Sequence, residues 1–416
     1  MAKLEGVIIK AIVFIHTQKS GSSREAIKAA ERMGYYTILY TKNVKLSLRR
    51  EELPEVHYLK VCDLSNLEEL AYEIRAQYDR GIDICAIISF VDPYCYTASM
   101  LAETFGINRF STNAILKMQN KIYTRQVLSP TSYSAQHCVF DMVSDIDKAY
   151  EKMEEYLPLV IKSPESAGSK DVIKINDYKG FKKEALLLLD KYPNVPVMVE
   201  EYLDGPQYLV ETIVYKKRIS IIAVFQQIIT FKKRFIITGY NLLLHSTGEF
   251  MDCLEQSVQA IVNAFHMETG SCHLELRYVN EAWKLIEINP RISGSGMNKM
   301  IESAFGINLV EETLKMALGR EPNLDVKYRK HIFCQQITVS QTGHLQKVTG
   351  RNKAFHSPGV VDIYIKPRKG AFLRPPLSMG DRYAYVIATG SSESEAKEHA
   401  IYAASLIQFH LSSSEL

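Results

Sequence analysis

The first third of the chain alternates short apolar runs with helical periods, and that order leaves few folds open. Ala11–Ile15 (AIVFI), Tyr35–Tyr40 (YYTILY) and Ile84–Phe90 (ICAIISF) have the length and composition of buried strands. The spacing predicts helices over Ser22–Met33, closed by Gly34, over Leu64–Tyr78, and over Thr97–Phe105, closed by Gly106. Strands that alternate with helices form parallel sheets, so an α/β domain is expected over residues 1–116. The loop after the first strand, HTQKSGSSRE, has one glycine, Gly21, and matches neither GxGxxG nor GxxxxGKS/T. A turn or a substrate contact is expected there rather than a cofactor. The run Tyr94–Tyr96 is expected to pack, though it falls at the C-terminal end of a parallel strand, where ligands bind.

Beyond this domain the pattern changes. A helix is expected over Lys117–Leu128, stopped by Ser129-Pro130. Strands follow over Leu159–Lys162, Val195–Glu201, Leu209–Tyr215, Ile219–Ile229, Cys272–Tyr278 and Trp283–Asn289. A helix pair, Met297–Ala304 and Leu309–Leu318, precedes strand-like runs over Ile332–Val339, Gly359–Ile365 and Tyr383–Ala388. A helix over Ser392–His410 is expected to end the chain. At 416 residues, and about 150 residues per domain, two or three domains are expected.

Composition removes several classes. Fifty Lys+Arg against 47 Asp+Glu leave a net charge of +3, with no basic excess for nucleic acid. The longest apolar stretch, Ile219–Phe231, is broken by Gln226 and Gln227 and is too short to span a bilayer. MAKLEGVIIK lacks the features of a secretory signal. The seven cysteines include no CxxC pair, as expected of reduced, mostly buried thiols in a cytoplasmic protein. No nucleic-acid or membrane partner is expected.

The chemistry concentrates in CHLELRYVNEAWKLIEINPRISGSG, residues 272–296. Residues two apart in a strand share a face. Glu287 and Asn289 then point together with Leu285 and Trp283 behind them, and Ile286 and Ile288 point into a core. His273, Glu275 and Arg277 share a face of the preceding run. A hairpin turning symmetrically about Glu281 sets Glu275 opposite Glu287, about 5 Å apart at Cβ. Facing carboxylates repel unless a cation lies between them. Two carboxylates and the Asn289 amide are hard oxygen ligands that suit magnesium. Arg291 adds a planar donor fork for phosphate oxygens. The competing reading is a solvated surface hairpin, and His273 is either a structural histidine or a base.

The run LIEINPRISGSG resembles the magnesium-binding strand and loop of the ATP-grasp superfamily, and three further segments match in order. NKIYTRQVL (120–128) resembles the helix before the lid, with Lys121 toward the nucleotide. LPLVIKSPESAGSKDV (157–172) resembles the lid strand, with Lys162 and a small-residue phosphate loop that includes Gly168 and Ser169. VMVEEYLDGPQYLVE (197–211) resembles the hinge. There the backbone at Glu201 and Leu203 would meet adenine, with Glu200 and Tyr202 beside it. Gln207 stands where many members carry a ribose-binding glutamate.

The resemblance covers residues 117–320 and implies an α/β architecture: an ATP-grasp fold after a Rossmann-like parallel domain over 1–116. The ATP-grasp domain would occupy 117–325, with a lid over about 131–200. A C-terminal α+β portion, 326–416, would complete it with mixed or antiparallel sheet. It also implies ATP and two magnesium ions, with manganese as a substitute, and is compatible with a homodimer. Among members the chain looks most like bacterial L-amino-acid ligases, some of them in peptide-antibiotic pathways and one arginine-specific. These join two L-amino acids into a dipeptide through an acyl phosphate, with ADP and phosphate as products. Arg291 would then be catalytic, and Ser293, Gly294 and Ser295 would line the amino-acid pocket. The alternatives are another ATP-grasp ligase or carboxylase, a regulator without turnover, and a dehydrogenase lacking the glycine fingerprint.

Overall fold

The computed structural model describes residues 8–164, 171–231, 235–244 and 248–413. Its first sheet is parallel, in the order Tyr58–Val61, Tyr36–Thr41, Ile9–Ile15, Ile82–Ile88. Both faces are covered, which is why Ile9–Ile15 is apolar and buried from Ala11 onward. Ile12 and Phe14 enter one core, whereas Ala11, Val13 and Ile15 enter another. Tyr58–Val61 has no counterpart among the strands expected from sequence. It is a four-residue, half-buried edge strand, too short to show a period. The helix expected from Thr97 begins at Tyr94, so the aromatic run forms its first turn.

An eight-stranded sheet dominates the rest. Its order is Ala282–Asn289, Gly270–Val279, Gln207–Tyr215, Arg218–Phe231, Phe235–Leu242, His331–Ile337, Ala384–Gly390, Val360–Ile365, with every neighbouring pair antiparallel. A separate four-stranded sheet is built from His137–Phe140, Val197–Glu201, Leu159–Lys162 and Ile173–Ile175. Helices Ile146–Met153 and Tyr178–Lys191 share its apolar core through Ile146, Met153, Phe181 and Leu188. This is the mixed α/β arrangement expected from sequence, a parallel sheet ahead of a large antiparallel one. No helix among the described residues is long and apolar enough to cross a membrane.

Two expected helices are corrected. Lys117–Leu128 is not one helix: Thr112–Gln119 ends at Asn120, and Lys121–Leu128 starts anew. The Asn120 backbone is extended, and its side chain accepts from the Ile122 and Tyr123 N–H groups. That is an N-cap. The last helix stops at Ser405, and Gln408–Ser413 forms a strand beside Gly343–Thr349. The alternation in QFHLSS fits a strand that finds its partner some 60 residues upstream.

Candidate active site

The hairpin of the large sheet carries the acid pair. Asn280 and Glu281 turn it with φ of 49° and 61°, the left-handed pair of a two-residue type I′ turn. From Val279↔Ala282 to Leu276↔Leu285 the ladder is regular, and then a bulge intervenes. Past the bulge Glu275 pairs with Glu287 and His273 with Asn289, the partners expected from sequence. The expected symmetric turn about Glu281 is not how this register arises; a tighter turn and one extra residue, Ile286, compensate each other. The bulge also corrects the facing. Trp283 and Leu285 are not behind Glu287 but share a core with Ile288 on the other face.

Around the pair, polar groups converge. Gln207 donates from Nε2 to Glu275 Oε2 at 2.9 Å and accepts from Arg277 Nε at 3.2 Å. Lys121 Nζ lies 3.7 Å from Glu287 Oε1 and donates to the Pro164 carbonyl at 3.2 Å. Burial, then the neighbouring charge of Glu287, raises the Glu275 carboxyl above its usual range. His273 Nε2 is 3.9 Å from Glu275, and its Nδ1 lies 2.6 Å from Glu211 Oε1. Glu211 is 0% exposed, and its other oxygen accepts the Ser293 N–H at 3.1 Å. Burial opposes charge on both members, but each outweighs that for the other: Glu211 is lowered and His273 raised.

Lys121 also lines a cavity with Arg125, Lys162, Glu200, Ile286 and Glu287. Glu200 is clamped there, 2.5 Å from Arg125 Nε and 2.5 Å from Lys162 Nζ. Burial opposes its charge, but the two cations outweigh this and hold the carboxyl at about 2. One carboxylate between two cations leaves positive charge facing the cavity, as phosphate binding requires. Arg125, 1% exposed, also donates to the Ile286 carbonyl at 2.9 Å and so anchors the bulge. It was absent from the residues singled out in the sequence. Its signal was its place four residues after Lys121, on the same helix face.

The hinge segment is tied into the small sheet. The N–H groups of Glu201 and Tyr202 donate to the Gln136 and Pro158 carbonyls at 3.0 and 2.9 Å. The Leu203 carbonyl accepts from Arg277, whose guanidinium lies 5.3 Å from the Tyr202 ring centre. Gly168 and Ser169 lie outside the described residues.

Arg291 is less open than the sequence suggested. Its Nε and Nη2 reach Asp92 Oδ2 at 2.7 and 2.6 Å, and Nη1 donates to the Ile292 carbonyl at 3.1 Å. Asp92 belongs to the loop after the last parallel strand, so the first sheet holds this arginine in place. Sequence reading missed Asp92 and Glu211; only the fold brings them to Arg291 and His273. Ser293 is buried, whereas Ser295 is exposed with φ of 57°.

The donor chemistry fits a divalent ion: two facing oxygen acids, one raised by burial and like charge, with the Asn289 backbone paired two residues along. Among the described residues no group of three or more His, Cys, Asp or Glu side chains is arranged to hold a metal. A nucleotide's phosphates would have to complete such a site.

Residues 155–299 match the family described as ATP-grasp domain, and residues 335–412 match L-amino acid ligase C-terminal domain 2. The chain is 23% identical to an uncharacterized protein, y4rH, of Sinorhizobium fredii, over 93% of this chain and 80% of that protein. It is 26% identical to an L-arginine-specific L-amino acid ligase of Bacillus subtilis, over 64% of each chain. The crystal structure of an L-amino acid ligase from Bacillus licheniformis superposes with a TM-score of 0.82 at 18% identity, over 97% of this chain and 99% of that one. The chain therefore has the ATP-grasp fold and carries, after its ATP-grasp domain, an L-amino acid ligase C-terminal domain.

Proposed function

We propose that this protein is an ATP-dependent ligase that joins two L-amino acids into a dipeptide, releasing ADP and phosphate. The observation that carries the reading is the facing pair Glu275–Glu287 beside a cavity lined by Lys121, Arg125 and Lys162. The L-amino acid ligase C-terminal domain favours amino acids as substrates. The reaction has two steps. A carboxylate oxygen of one amino acid attacks the γ-phosphorus of ATP, forming an acyl phosphate as ADP leaves. The amino group of the second then attacks the acyl carbon; phosphate leaves, and the amine gives up a proton.

In this reading the chain contributes position and charge rather than a nucleophile. Lys162 and Lys121 hold the nucleotide phosphates, and Glu200 keeps Lys162 aimed into the cavity. Glu275 and Glu287, with Asn289, would hold magnesium, which when bound neutralises charge on the phosphates. Arg291, braced by Asp92, neutralises charge that develops on the transferring group. Ser293, Gly294 and Ser295 border the amino-acid pocket.

The test is release of phosphate from ATP across pairs of amino acids, with mass detection of products. Dipeptide in equal yield with ADP and phosphate is expected; AMP and pyrophosphate, or no phosphate from any pair, would overturn the reading. Two variants separate binding from chemistry. Lys162→Ala should weaken ATP binding, because its contact exists in ground and transition states alike. Arg291→Ala should lower turnover with ATP affinity largely kept. Nucleotide titrations with the opposite pattern would exchange the two roles.

A further inference from the structure

A second cluster of polar side chains, His16, Thr41, Lys42 and Tyr94, lies at the carboxyl end of the parallel sheet. In the strand order given above, the winding reverses between Ile9–Ile15 and Ile82–Ile88. Open parallel sheets take ligands in the crevice beyond the carboxyl ends of the strands at such a point. His16, the first residue past that strand, has φ of 66°, a region uncommon for residues other than glycine. Backbone held there concentrates at ligand sites. The side chain is 8% exposed, with Nδ1 2.9 Å from Thr41 Oγ1 and its ring edge-on to Tyr94 at 5.1 Å. Thr41 Oγ1, which also accepts the Asn43 N–H at 3.1 Å, occupies Nδ1, so Nε2 is the ring nitrogen left to meet a ligand. No hydrogen-bond partner for Nε2 occurs among the described residues.

The ammonium of Lys42 lies 5.5 Å from the same Tyr94 ring and makes no ion pair among the described residues. Burial, then the charge of Lys42, lowers the proton affinity of His16. The cluster adjoins the site already described. Tyr94 starts its helix two residues after Asp92, the partner of Arg291. Gly21, in the loop that His16 opens, approaches Ser295 so closely that a Cβ there would lie 3.0 Å from the Ser295 nitrogen.

The ligase reading leaves one group without a partner. The activated amino acid spends its carboxylate, but the amine-bearing one keeps its own through to the product, where it is the C-terminal carboxylate. It needs a cationic receptor apart from the lysines that hold phosphates. We propose that His16 and Lys42 are that receptor, seating the carboxylate of the amine-bearing amino acid so that its amino group faces Arg291 and Asp92. This inference rests on the ligase reading.

The test compares wild type, His16→Ala and Lys42→Ala with three amines: an amino acid, the same amino acid as its amide, and hydroxylamine. Hydroxylamine traps the acyl phosphate and has no carboxylate to seat. Each variant should raise KM for the amino acid by about 10- to 100-fold, the usual scale for a hydrogen bond to a charged group. Hydroxamate formation and KM for the amide should stay within about twofold. An unchanged KM for the amino acid would overturn the receptor, as would an equal loss with the amide or a loss of hydroxamate. Wild-type protein that makes no hydroxamate with any amino acid would overturn the ligase reading itself, and the receptor with it. Lys42 is exposed, so Lys42→Ala keeps the test decisive if His16→Ala folds poorly.

Discussion

Glu287→Ala is expected to lower turnover by about 10²–10³-fold, the scale on which loss of preorganised charge stabilisation slows a reaction. The reason is local. Glu287 faces Glu275 across the hairpin and lies beside Lys121 at the mouth of the cation-lined cavity. Removing it takes away one oxygen donor and leaves the rest of the cavity in place. The same change has an opposite expected sign on the protein without metal. Glu275 is raised partly by the charge of Glu287, so relief of that repulsion should leave Tm unchanged or higher. Magnesium should raise the Tm of wild type in the presence of nucleotide and fail to do so for the variant. Near-normal phosphate release by Glu287→Ala with magnesium would remove this residue from the metal site.

Glu200→Ala should have the largest effect on stability. The carboxylate sits between Arg125 and Lys162, and all three side chains are buried. Breaking a buried ionic cluster by removing one partner costs about 3–5 kcal/mol, because the remaining charges stay buried without compensation. Urea unfolding should show the midpoint fall with little change in slope. The pH dependence has a defined sign. The Glu200 carboxyl is lowered from 4.5 to about 2, so its contribution, about 3 kcal/mol, is complete above pH 4.5. It is lost as pH falls toward 2, where the folded form takes up the proton. Glu200→Gln should therefore differ most from wild type at pH 7 and less at pH 3. A gap that is constant over this range would mean that Glu200 does not hold its charge through folding.

Both predictions concern residues that stood out in the sequence, but their settings did not. Glu275 and Glu287 were legible because strand alternation fixes which residues share a face, and a hairpin has few registers. The four ordered segments made the ATP-grasp resemblance, and with it Lys121 and Lys162, visible without coordinates. Three of the four strands of the first sheet were legible for a similar reason: buried parallel strands are continuous apolar runs, which the half-buried edge strand Tyr58–Val61 is not.

What the sequence by itself determined were the contents of each element, because local periodicity and turn chemistry act over a few residues. Tertiary structure decided what those elements meet. The bulge at Ile286 turned Trp283 and Leu285 away from the site, since it depends on fitting two strands to a sheet. Arg125 entered the cavity because Glu200, 75 residues away, and the Ile286 carbonyl, 161 residues away, gave it partners. Asp92 reached Arg291 across 199 residues, and Glu211 reached His273 across 62. The terminal strand replaced the end of a helix once Gly343–Thr349 was there to pair with it. Hydrogen bonds and ion pairs between distant segments leave no period in the chain, because their energy exists only after packing has excluded water from both partners.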